Sequence, residues 1–184
     1  MEAEVETSAP AMPRDQLVET LWQIYDFYRT ALLNQLYYAE QLSRYRRINM
    51  IFEIVVAIGT STTSIGAWAI WNSHSGKYIW AVFAGVATLT SVIKPFLSLP
   101  GEIERFTKLH AAHSALYGDL NGLVKKIRRT HNLTGEMCNE LEQTTRRYEK
   151  LTISDAVRQN QKLRAECTED VMRQIPVKDL WIPA

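Results

Sequence analysis

INMIFEIVVAIGTSTTSIGAWAIW, residues 48–71, and YIWAVFAGVATLTSVIKPFLSL, residues 78–99, decide how this chain is read. Both stretches are mostly apolar, and only Asn72-Ser73-His74-Ser75-Gly76-Lys77 separates them. A helix over either would extend roughly 33–36 Å at ~1.5 Å per residue, enough to cross a ~30 Å hydrocarbon core with some tilt. The pattern therefore predicts an all-α membrane protein: a two-span helical hairpin, spans 48–71 and 78–99, with an outer turn at 72–77.

The flanks orient that hairpin. Arg44, Arg46 and Arg47 precede the first span, and Lys94, Arg105 and Lys108 lie at or beyond the end of the second, against Lys77 alone in the turn. The positive-inside rule places both termini in the cytoplasm, and Trp71, Tyr78 and Trp80 gather at the expected outer boundary. This predicts a multi-pass protein of the cell membrane. No signal peptide is expected, because the first 47 residues are polar or amphipathic and the first apolar block is long and internal. With 21 Lys and Arg against 20 Asp and Glu, net charge gives no whole-protein reason to expect nucleic acid. The two cysteines, Cys138 and Cys167, are expected as reduced thiols.

Outside the apolar blocks, residues 1–13 are rich in Ala, Glu and Pro and predict a mobile tail. Residues 14–47 predict an amphipathic cytosolic helix: Leu17, Leu21, Ile24, Tyr28, Leu32, Leu36, Ala39 and Leu42 recur three and four apart. No Gly or Pro lies between Arg14 and Ile58, so this helix can run straight into the first span. Pro100-Gly101 marks a break after the second. Residues 100–184 then predict a cytosolic helical region. In it Phe106, Leu109, His113, Leu116, Leu120, Leu123 and Ile127 form a heptad seam, expected to be buried within the chain or to serve as an oligomerisation surface. Asn132 to Gly135 interrupts the pattern; Thr134 can cap a helix through Thr152, and Ser154 or Asp155 can begin another that stops before Pro176.

Within the first span Glu53, Ala57, Thr60, Ser64 and Trp68 share a helical face, and Ser61 joins them in a hydroxyl run from Thr60 to Ser64. That face suits either close helix packing or the lining of a hydrated path in an oligomer. Glu53 is the sharper signal, since an ionisable group in a span is paired, hydrated or functional; Lys94 is near enough in depth to pair with it. Pro95 after Lys94 can hinge the helix at a cytosolic mouth or simply mark its exit. In the second span Ala81, Gly85 and Leu89, with Ala84, Thr88 and Val92, read as a small-residue packing face. His110 and His113 have metal-compatible spacing, but no third ligand accompanies them and His113 falls in the seam, so packed histidines are expected. Lys125-Lys126-Ile127-Arg128-Arg129 reads as a solvated basic face. No nucleophile elbow, metal motif or nucleotide loop is present, so neither enzyme activity nor a cofactor is expected.

Tyr37-Tyr38-Ala39-Glu40 and Arg46-Arg47 lead into a Ser/Thr/Gly-rich apolar stretch; Ile93-Lys94-Pro95-Phe96 ends the next, and Glu102-Ile103-Glu104-Arg105 opens the following helix. From Leu17 to Ile127 this organisation resembles the SLATT families, two-span bacterial proteins associated with nucleotide-sensing defence systems. The resemblance implies a pore-forming effector in the bacterial inner membrane, triggered by a separate sensor or nucleotide-signalling partner, with no catalytic motif to transfer. Two spans cannot enclose water, so the expected pore is a homo-oligomer of at least four chains in a lipid bilayer, passing ions along the first span. The rival expectation is a helical scaffold or accessory subunit with no pore of its own.

Overall fold

A computed structural model describes residues 13–61, 76–96, 98–153 and 160–183. Helix α1 is Arg14–Ser61, α2 Gly76–Phe96, α3 Leu99–Thr130, α4 Gly135–Ile153 and α5 Gln161–Gln174, followed by a 3-10 turn at Val177–Asp179. α1 starts where Pro13 leaves its carbonyl to the Leu17 N–H at 3.0 Å, with Asp15 complementing the dipole of its first turn. It continues for 48 residues, with no Gly or Pro between Arg14 and Ile58 to interrupt it, so the boundary expected at residue 47 is not a structural one.

The membrane hairpin does not survive. Among the described residues no helix is long and apolar enough to cross a membrane, and this overturns the transmembrane, pore-forming and multi-pass inner-membrane expectations together. The reason lies in run length. In α2 the uncharged stretch from Tyr78 to Ile93 is sixteen residues, bounded by Lys77 and Lys94, short of the ~20 a span requires. In α1 the apolar end is continuous with a charged helix and contains Glu53. The remainder of the first expected span, residues 62–71, lies outside the described residues, as does the turn at 72–75.

The break after α2 also comes earlier than Pro100-Gly101. Ser98 adopts a left-handed backbone, φ 40°, and its carbonyl accepts the Glu102 N–H at 3.2 Å. Pro100 and Gly101 therefore sit in the first turn of α3, where proline's missing N–H costs nothing.

The chain divides into two compact units, residues 1–38 with 109–184, and residues 39–108. The first is a helical bundle. Leu21, Ile24, Tyr25, Tyr28, Ala31 and Leu32 of α1 pack with Leu116, Leu120, Leu123, Val124 and Ile127 of α3, and Met137, Val171, Ile175 and Leu180 complete the core. α4 turns Met137, Leu141, Thr144 and Tyr148 inward at i, i+4, i+7 and i+11; Thr134 caps it through the Met137 N–H at 3.4 Å. α5 buries Leu163, Cys167 and Val171 and is capped by Asn160, whose side chain accepts from the Leu163 N–H. The starts expected at Ser154 or Asp155 lie outside the described residues. Both cysteines are free thiols.

The last described segment straps this bundle. The Tyr25 hydroxyl donates to the Trp181 carbonyl at 2.7 Å, and Arg29 Nη2 donates to the Ile175 carbonyl at 2.9 Å. The Trp181 ring meets His131, centroids 5.2 Å apart. His131 itself ends α3 in a left-handed conformation, φ 49°, the role glycine usually fills.

The second unit has a different make-up. Its described buried apolar side chains are Leu42, Leu99 and Phe106, the last stacked on Tyr45 at 5.1 Å.

Candidate functional site

Seven positions expected as an oligomerisation seam are all buried within the single chain, from Ile127 and Leu120 at 0% exposure to Leu109 at 7%. Leu116, Leu120, Leu123 and Ile127 belong to the bundle core, Phe106 is covered by Tyr45, and His113 lies under the Tyr38 ring at 4.9 Å, nearly parallel. Of the two alternatives left open by periodicity, intrachain burial is the one observed, and these side chains present nothing to a neighbour.

Residues expected along a hydrated path fare differently. Glu53 is exposed and accepts a hydrogen bond from Asn49 Nδ2 at 2.8 Å, one turn back on its own helix. Ala57 is exposed, and Thr60 and Ser61 close α1. Ser64 and Trp68 lie outside the described residues. Lys94 and Pro95 fall in the last turn of α2, which continues one residue further, to Phe96; the expected Glu53–Lys94 pair rests on a side chain outside the described set.

His113 is packed, as periodicity suggests. Its Nδ1 has no hydrogen-bond partner among the described residues, Tyr148 meets its ring edge-on at 6.3 Å, and burial pushes its pKa below the ordinary 6.5. The folded protein therefore holds it neutral, while the unfolded chain takes up a proton from about pH 6.5 downward. Its contribution to stability is complete above that value and is lost as pH falls towards the depressed folded-state pKa. The urea midpoint should accordingly drop between pH ~7.5 and ~5; in His113→Gln the drop should be smaller, and an equal drop would place the sensitivity elsewhere. Among the described residues no three His, Cys, Asp or Glu side chains converge as a metal site.

The bundle's tyrosines are structural as well. Tyr28 donates to Asn121 Oδ1 at 3.1 Å and lies 3.2 Å from the Tyr117 hydroxyl; burial first, then Tyr117, pushes its pKa up, so it stays protonated. Between α3 and α4 a groove of about 390 Å³ passes Gly118, Gly122 and Thr144. It is closed by two ion pairs, Lys126–Glu140 at 2.6 Å and Arg147–Asp119 at 2.8 Å. Each charge there has its counter-charge, and the Glu140 hydrogen bond raises the Lys126 pKa. This arrangement joins two helices and offers no convergent acid, base or nucleophile.

What stands out is an apolar surface. Ten of the thirteen exposed large hydrophobic side chains among the described residues lie in the second unit. Ile48, Met50, Ile51 and Ile54 are on α1; Tyr78, Val82, Val86, Leu89, Val92 and Ile93 are on α2. On α2 they recur at three- and four-residue spacing along one broad side, at whose margin Thr90 is buried. Soluble monomers rarely expose contiguous patches of this kind, and larger ones mark interaction surfaces. The sequence reading gives Leu89 and Val92 as packing positions, Tyr78 as a boundary aromatic, and Val82, Val86 and Ile93 only as members of the expected span 78–99. The available signal was the lack of any charged residue on any side of α2 over sixteen positions, which leaves the helix no polar face for water.

No protein family, no curated protein and no solved structure matches this chain.

Proposed function

We propose that the chain is a non-enzymatic helical scaffold that docks an apolar partner surface through the exposed side of α1 and α2. The single observation that carries this reading is the ten-residue apolar surface of the second unit. The bundle keeps its own seam for itself, so the interaction capacity is concentrated in residues 39–108. Within the resemblance to the SLATT families, such assembly would be the effector half of a sensor–effector pair.

The test is a paired measurement on the full chain, wild type against Val82→Glu/Leu89→Glu. The wild type should sediment as a species heavier than one chain, alone or with a bound component. The double variant should sediment as a monomer, with a urea midpoint equivalent to within about 0.5 kcal/mol of wild type, as for surface positions. A variant that unfolds would make the face part of the core, and a variant that sediments like wild type would remove it from docking. Either result overturns the proposal.

A further inference from the structure

Size, charge and backbone access together say what covers the apolar face. We propose that its occupant is a second copy of the chain, docked α2 against α2 about a two-fold axis, with the helices crossing at Gly85. This rests on the scaffold reading above and names its partner.

Size comes first. At exposures from 45% to 75%, the six α2 side chains offer on the order of 600 Å², and Ile48, Met50, Ile51 and Ile54 of α1 raise the total to about 1,000 Å², against roughly 800 Å² per partner in a stable interface. The contact thus takes in exposed side chains of both helices around the α2 crossing. One copy of this surface therefore suffices for a dimer.

Charge narrows the partner. From Tyr78 to Ile93 there is no ionisable carboxylate, amine or guanidinium. The Thr90 and Ser91 hydroxyls donate to their own helix, to the Val86 carbonyl at 2.7 Å and the Ala87 carbonyl at 2.9 Å. A partner surface that is itself apolar and uncharged fits best, since a charge buried here would find no counter-charge between Tyr78 and Ile93. A surface of that description is present on the chain itself, and two-fold symmetry brings the same patch to both sides of an isologous contact.

Gly85 supplies the crossing point. A Cβ built there meets nothing within 4 Å among the described residues, so none of them explains by packing a glycine inside a helix, where it is less stable than alanine. It sits beside the midpoint of α2, between Val82 and Leu89 of the exposed stripe, with exposed Ala81 one turn earlier. Small residues let two helix backbones approach closely, and a two-fold axis near the midpoint brings Gly85 to its own counterpart.

The decisive experiment is site-specific crosslinking of the full chain carrying Cys138→Ser and Cys167→Ala. Mild oxidation of Gly85→Cys should give a covalent dimer, because like residues at the axis fall within the roughly 4.4–6.8 Å Cα separation a disulfide accepts. Ala87→Cys, on the half-buried side of α2, should remain monomeric. Gly85→Leu should weaken self-association at least tenfold by analytical ultracentrifugation. If the chain assembles but Gly85→Cys gives no dimer while Ala87→Cys crosslinks equally or better, the α2 pairing is overturned although a scaffold remains. If the wild type is monomeric alone and instead co-floats with phosphatidylglycerol/phosphatidylethanolamine vesicles in a way Val82→Glu/Leu89→Glu abolishes, lipid covers the face and the second copy is excluded.

Discussion

Leu120→Ala is expected to lower the free energy of unfolding by about 3 kcal/mol, within the range for truncating a buried leucine. Leu120 has no exposed surface and occupies the centre of the α3 stripe between Leu116 and Val124, facing the α1 residues of the same core. Removing three carbons there forfeits both their transfer from water and the contacts of the atoms that lined them. Neighbours on two long helices cannot collapse into the gap without moving backbone that packs many other residues. Urea denaturation monitored by circular dichroism at 222 nm measures this directly. A loss below about 1 kcal/mol would mean that the α1–α3 contact is not the stabilising core of the bundle.

The second large effect is expected at Trp181, where alanine should destabilise the bundle by about 2 kcal/mol, less than a fully buried tryptophan because the ring is only half-buried. Trp181 anchors the strap twice over: its ring lies against His131 and its carbonyl accepts from Tyr25. Losing the ring loosens a segment that also brings the Ile175 carbonyl to Arg29 and packs Trp181 and Ile182 against the bundle core. Tyr25→Phe separates the two contributions, removing the hydrogen bond while keeping the ring, and should cost about 1 kcal/mol. Equal effects from both substitutions would assign the strap's stability to the hydrogen bond alone.

Much of the bundle was readable in the order of residues. Three-and-four spacing from Leu17 to Leu42 and from Phe106 to Ile127 identified both long helices and most of their inward faces, because amphipathicity is a local property of the chain. Thr134 was readable as a cap for the same reason. Tyr25, Ala31, Tyr37 and Tyr38 are buried too, so the inward face of α1 is wider than the spacing showed; tyrosine's polar end conceals its burial until its hydroxyl finds a partner, as in the contact from the Asn160 N–H to the Tyr37 hydroxyl at 2.9 Å. The strap was not readable, since Trp181 and Tyr25 are 156 residues apart and nothing local relates them.

The candidate surface was legible as apolar and misread in its consequence. Residues 48–71 and 78–99 read as spans only at full length, and helix boundaries and flanking lysines decide how much of a run is usable. With α2 confined to Gly76–Phe96 and Lys94 inside it, the same residues leave a helix with an oily side and no span. A hydropathy pattern tells that a surface avoids water; whether it is covered by lipid, by its own chain or by another copy is a question of geometry.

The division of the bundle between residues 1–38 and 109–184 has a bearing on how the molecule is made. A ribosome delivers the N-terminal half of α1 first, then the apolar α2, and only afterwards the α3, α4 and α5 residues that cover Leu21 to Leu32. For most of synthesis the nascent chain carries two sticky surfaces, one waiting for its own later helices and the other the exposed apolar side of α2. Chains released before Trp181 is added should be the aggregation-prone species, and demand for a holding chaperone should peak between the emergence of α2 and that of the strap.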